Sequence, residues 1–234
     1  MRSPLAATTL CVFLASSLIA TATEVPSLTE LLGPAALDPS IDVPALDEML
    51  RGKDQRMLRW SEAPRLVVLM SVMKYAEDGT GHVATAETLT DREAQDLVAD
   101  LTNALALLSG GVHTRFANLR QETVPVGAPV PAAHRGDIVV GRYRGVREQL
   151  NTLGLGGRRW KSDGSITSGS ILLDDEYDRT GDRRHLLRAH ELGHVLGYNH
   201  VTSRTSIMNP RIGSEPTEFD RQAARIAFGP LAAR

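Results

Sequence analysis

Cysteine is almost missing from this chain. Its 234 residues hold one, Cys11, inside an N-terminal apolar stretch. With that stretch removed, no disulfide can form, which is compatible with export but does not require it. Cys11 is not preceded by the Leu-x-x pattern of a bacterial lipoprotein, so no lipid anchor is expected there. A surplus of positive charge is also missing: 26 Lys and Arg stand against 28 Asp and Glu. Such a balance offers no basic patch for nucleic acid or an anionic membrane. Long apolar runs are absent beyond the N-terminus, and so are repeats and low-complexity tracts.

What is present begins with a targeting pattern. Met1-Arg2 is a short basic start, "LAATTLCVFLASSLIA" at 5–20 is apolar, and "ATA" at 20–22 is a small-residue cleavage site. Retention as an anchor is the competing reading, but this mildly apolar run is short against the roughly 20 residues of a membrane span. Residues 1–22 are therefore expected to be a signal peptide cut after Ala22, giving a secreted or periplasmic protein with no membrane attachment. Removing Arg2 shifts the balance slightly further towards acid.

The chemistry lies in "HELGHVLGYNH", residues 190–200, where three of the seven histidines fall together. His190 and His194 are four apart and so project from one face of a helix. Glu191 is turned roughly 100° from His190 and stands beside the pair. Gly197 can turn the chain where other residues cannot, which would let His200 swing back. Three imidazoles and an open position suit catalytic zinc, whose bound water has a pKa lowered to near 7. Glu191, not itself a ligand, suits the general base that moves a proton from water to a leaving amine.

At these residues the chain resembles the metzincin zinc endopeptidases, whose pattern is His-Glu-x-x-His-x-x-Gly-x-x-His followed by a turn containing methionine. His190, Glu191, His194, Gly197 and His200 fill the pattern, and "TSIMNP" at 205–210 supplies Met208. Alone, Met208 would be read as an ordinary core filler. The resemblance implies that it forms the floor beneath the histidines. The chain "EPTEFDRQAARIAFG" looks like the last helix of the matrixins, so a matrixin-like bacterial protease is the nearest description. Val201 stands where named groups carry a characteristic residue, and "MNP" lacks the tyrosine that astacin-like and serralysin-like enzymes use as an extra ligand. Without a cysteine in the mature chain, latency by a thiolate on the zinc, the device of matrixin propeptides, is excluded.

The implied fold is α+β: a twisted mixed sheet with an antiparallel edge strand, an active-site helix and a C-terminal helix, spanning residues 65–234. Residues 23–64 carry prolines at 26, 34, 39, 44 and 64 and short apolar clusters, and read as an N-terminal arm or a propeptide. "RLVVLMSVM", 65–73, reads as one buried strand. "TDREAQDLVADLTNALALLSGG", 90–111, is the clearest helix, with a Thr90–Glu93 capping box and an apolar face of Leu97, Val98, Leu101, Leu105 and Leu108. Residues 114–124 and 136–145 read as strands. "LGLGGRRW" matches no phosphate-binding motif and reads as a plain connection. By the resemblance, "SITSGSILL" holds the edge strand and the next buried strand, with an extended polypeptide substrate pairing along that edge. Helices are expected over 183–197 and 217–228.

The acidic "DDEYDRTGD", 174–182, could take calcium through carboxylate oxygens but lacks EF-hand spacing, and negative charge near a helix start is favourable in itself. His82, His113, His134 and His185 are expected to be surface or hydrogen-bonded histidines. Residues 201–206 are expected to line part of the specificity pocket. The function implied is a zinc-dependent endopeptidase. A zinc-holding interaction protein without activity is the alternative, disfavoured because Glu191 and all three histidines are retained.

Overall fold

The structure is a computed structural model that describes residues 26–34, 38–52, 55–75, 81–211 and 214–229. Residues 1–22, expected to be a signal peptide cut after Ala22 and containing Cys11, lie outside them, as does Pro230.

Seven strands form one sheet. The run 65–73, expected as one strand, is two: β1 (Arg65–Leu69) and β2 (Ser71–Tyr75). The break at Met70 is where the chain changes partner. Met70 donates its N–H to the Glu122 carbonyl, on β4 (Leu119–Glu122), and accepts from the Leu89 amide, just beyond β3 (His82–Thr88). Both β1 and β2 run parallel to β5 (Asp137–Arg144) along one of its edges. On the other edge β5 pairs parallel with β7 (Ile166–Asp174), and β7 pairs antiparallel with β6 (Gly154–Trp160). The glycine-rich connection is thus itself the edge strand, and "SITSGSILL" is a single interior strand. Residues 114–124 supply only the four of β4.

Alternation along β1 divides the core. Leu66 and Val68 face the helices, while Val67 and Leu69 join Met73, Val139 and Tyr143 on the opposite face. On the helical face lies α3 (Asp91–Leu108). Its start follows the expected capping box: the Glu93 amide donates to Thr90 Oγ1 and the Thr90 amide to Glu93 Oε2. Leu97, Leu101, Leu105 and Leu108 are fully buried, and Val98 is half-buried at their side. Beside α3 run α6 (Arg184–Leu196) and α7 (Glu218–Phe228), within a residue of their expected bounds.

The arm is part of this core. Its helices α1 (Leu28–Leu32) and α2 (Val43–Leu50) bury Leu28, Leu46, Met49 and Leu50 in the same apolar cluster as α6 and α7.

The acidic stretch 174–182 forms α5 (Asp175–Thr180), capped by Asp174, and its carboxylates face arginines. Asp178, fully buried, accepts from Arg142 Nε at 2.7 Å and from Arg188 Nε at 2.6 Å. Asp175 accepts from Arg179, which also reaches Glu93. These oxygens are engaged by guanidinium groups, and nothing in their arrangement indicates calcium.

Burial would raise the Glu93 carboxyl, but the Thr90 amide and hydroxyl and the Arg142 guanidinium overcome it and hold it at about 2, below the ordinary 4.5. A depressed carboxylate stabilises the fold fully above its unfolded value and loses that contribution as pH falls through its folded value. Glu93→Gln is therefore expected to be less stable than wild type at neutral pH. In urea melts the gap should close as pH falls from 4.5 to about 2. A gap that stays constant across that window would refute the assignment.

Candidate metal centre

Helix α6 carries His190 and His194 on one face, as their spacing requires, and ends at Gly197. Gly197 has φ +118°, and its amide donates to the Gly193 and His194 carbonyls. Glycine is needed there twice over: L side chains disfavour that backbone, and a Cβ would stand 2.0 Å from the Leu58 carbonyl oxygen. The turn brings His200 back over the helix. Its Nε2 lies 3.2 Å from Nε2 of His190 and 3.2 Å from Nε2 of His194. Among the described residues this is the one cluster able to hold a metal ion.

The outward nitrogens of two rings are fixed. His190 Nδ1 donates to the Ile207 carbonyl at 2.7 Å and His194 Nδ1 to the Tyr198 carbonyl at 3.0 Å. That tautomer turns both Nε2 lone pairs towards the shared centre. Burial and the neighbouring His190 push His194 down to about 3, and burial also lowers His190 and His200. All three therefore stand neutral, as ligands must. The spacing fits as well: a tetrahedral ion at about 2.0–2.1 Å from each nitrogen sets neighbouring nitrogens about 3.3 Å apart.

Glu191 lines the same cleft as the three histidines, its carboxylate lying against Gly154 of the edge strand. Burial pushes its carboxyl up to about 7, and the Gly156 amide that donates to it pulls the other way. Met208, fully buried, lies under α6. Gly193 makes room for it, since a Cβ there would meet its sulfur at 2.4 Å. The Met-turn is held from behind by the buried Asp220 of α7, which accepts from Ser206 Oγ and from the Ile207 amide. The Ile207 carbonyl that orients His190 is thereby anchored to the last helix.

Sequence reasoning missed Gly193, Asp220 and the role of β6. Gly154 and Gly156 bring β6 against α6: a Cβ on Gly156 would stand 2.2 Å from the Glu191 carbonyl oxygen, and one on Gly154 2.7 Å from Glu191 Oε1. Arg158 extends from the same strand to donate to the His194 carbonyl at 2.7 Å. The triad opens into a cleft of about 680 Å³, walled by Leu150, Leu153, Leu155, Tyr177, Pro210 and Arg211. Residues 201–206, expected in that wall, are not part of it. Val201 is buried, and the loop turns towards α2. His185 faces Glu215 at 3.5 Å and stays apart from the triad.

Residues 75–224 match the family of the matrixins. The match leaves out the arm, β1 and all of β2 but its last residue. No curated protein matches the chain. The mixed sheet with its antiparallel edge and three-helix face is the α+β metzincin fold.

Proposed function

This chain belongs to the matrixin family of zinc metallopeptidases, and from that premise we propose that it is an exported endopeptidase that cuts extended polypeptides, with His190, His194 and His200 as metal ligands and Glu191 as general base. The observation that carries this reading is the placement of Glu191 beside three converging neutral imidazoles, at the floor of a cleft bounded by an edge strand.

When bound, zinc supplies Lewis acidity and a water of lowered pKa. The protein's own groups do the rest. Glu191 takes the proton that the attacking water loses and returns it to the leaving amine, which needs a carboxylate within reach of both. Ile207 and Tyr198 keep His190 and His194 in the ligating tautomer. Strand β6 pairs on one side with β7 and offers its other edge to the cleft, so an extended substrate can add to it through main-chain hydrogen bonds. Folded segments, whose backbone groups are already paired, are poor candidates for this. Among the described residues no helix is long and apolar enough to cross a membrane, which is compatible with release after cleavage at Ala22.

The test is a proteome-derived peptide library incubated with the purified chain. Internal cuts are expected, abolished by a chelator and restored by zinc. Elemental analysis should find one zinc per chain, lost on replacing His190, His194 and His200 together by alanine. Full zinc in that triple variant would remove the site assignment. A zinc-loaded chain that cuts nothing would remove the activity.

A further inference from the structure

His200 differs from the other two histidines in how it is held. Among the described residues its Nδ1 has no hydrogen-bond partner, whereas Nδ1 of His190 and of His194 each has a carbonyl. The position of its ring therefore depends on where the backbone of residues 199–204 is kept. The Met-turn holds one point of that backbone, with the Val201 amide donating to the Met208 carbonyl. Asn209, next to Met208, holds two more, its Nδ2 donating to the Val201 carbonyl at 2.7 Å and to the Arg204 carbonyl at 2.8 Å, and Arg158 donates to Asn199 Oδ1. The other tethers come from the arm.

Helix α2 grips the loop on both sides of His200. Before it, the Met49 carbonyl accepts from the Asn199 amide at 2.8 Å and from Asn199 Nδ2 at 3.3 Å. After it, Glu48 Oε1 accepts from the Thr202 amide at 2.9 Å and from Thr202 Oγ1 at 2.8 Å, and Glu48 Oε2 accepts from Ser203 Oγ at 2.8 Å. Asp42, which caps α2, pairs with Arg204. The helix is not a loose flap: Leu46 and Met49 are fully buried beneath it. Nor does it obstruct the cleft, whose walls come from residues 150–155, Tyr177, Pro210 and Arg211.

We infer that the arm is retained in the active protein as a brace for the third metal ligand, and that Glu48 is the positioning residue through which it acts. This rests on the metal site proposed above. A propeptide is removed because it blocks; this segment leaves the cleft open and ties down the loop that carries His200. Glu48 touches neither substrate nor metal, and it acts by holding Thr202 and Ser203.

The full exported chain tests this by zinc affinity, read in competition with a chromophoric chelator. Outer groups that orient metal ligands typically account for about 10–100-fold in affinity, and Glu48→Ala is expected to lose that much. Glu48→Gln keeps a carbonyl acceptor for the Thr202 amide and hydroxyl and should recover most of the loss. Asp47→Ala disturbs the same helix on its Arg51 side and should leave zinc affinity unchanged. The cobalt-substituted protein should show altered visible bands in Glu48→Ala alone. If Glu48→Ala does not fold, Thr202→Val with Ser203→Ala removes the hydroxyl contacts from the loop side, and a weakened hold on zinc is again expected. A folded Glu48→Ala, or that double variant, with wild-type zinc affinity would overturn the inference. So would an active enzyme whose N-terminus, by mass spectrometry, lies beyond residue 50. Weakened zinc binding in Glu48→Ala alongside a zinc-loaded wild type that cuts no peptide would support the brace while refuting the peptidase reading.

Discussion

Glu191→Ala is expected to keep its zinc and lose nearly all hydrolysis. Glu191 is not among the converging nitrogens, so the ligand set survives the change. What disappears is the group that moves protons between water and leaving amine, a contribution of typically about 10²–10⁴-fold. Glu191→Gln is the stricter comparison, because it keeps size and hydrogen bonding and removes only basicity. Its carboxamide can still accept from the Gly156 amide, so the fit of β6 on α6 is preserved. The measurement is kcat on a cleaved peptide, with metal content determined on the same samples. Two zinc-loaded variants that match the wild-type rate would show that the proton is carried by some other group.

For stability, the largest single-residue effect is expected at Asp178. Its carboxylate is fully buried between Arg142 and Arg188, each of them 1 % exposed. Asp178→Asn keeps the shape and removes the charge, leaving two buried cations with reduced compensation. Breaking a buried pair in this way costs about 3–5 kcal/mol, most of the roughly 5–15 kcal/mol by which a domain is stable. Urea unfolding should show a lower midpoint with an unchanged slope. Arg188 stands one helical half-turn before His190, so zinc affinity should fall in parallel. A midpoint within experimental error of wild type would mean that the arginines find water or other acceptors.

The metal site could be read from the chain because its rules are local. Spacing of four on a helix, a glycine that permits a left-handed turn and a histidine just beyond it are all visible within eleven residues. The capping box of α3 is local in the same way. Strand β6 was illegible for a physical reason. Glycine has low strand propensity, and the brief Leu–Gly alternation of "LGLGG" is too short and too glycine-rich to stand out as a strand. Gly154 and Gly156 are present because α6 passes within contact of them, a fact about a neighbour more than thirty residues downstream. The calcium reading of 174–182 arose likewise, because Arg142 and Arg188, which occupy Asp178, are remote from it in sequence or come after it. Nothing in "VTSRTS" announces that its partner is Glu48. The break at Met70, too, shows only once β3 and β4 are in place.

The contacts between α2 and the His200 loop also set a timetable. Glu48 and Thr202 are 154 residues apart, and Trp60 reaches the Val195 carbonyl over 135. Closing spans of that length is entropically unfavourable, and such pairings form late compared with local helix and hairpin contacts. A chain made from its N-terminus has the brace first and the segment to be braced last. Until the two meet, helix α6 presents His190 and His194 without a third partner held in place. By this ordering the centre is completed when α2 and Trp60 meet residues 195–204.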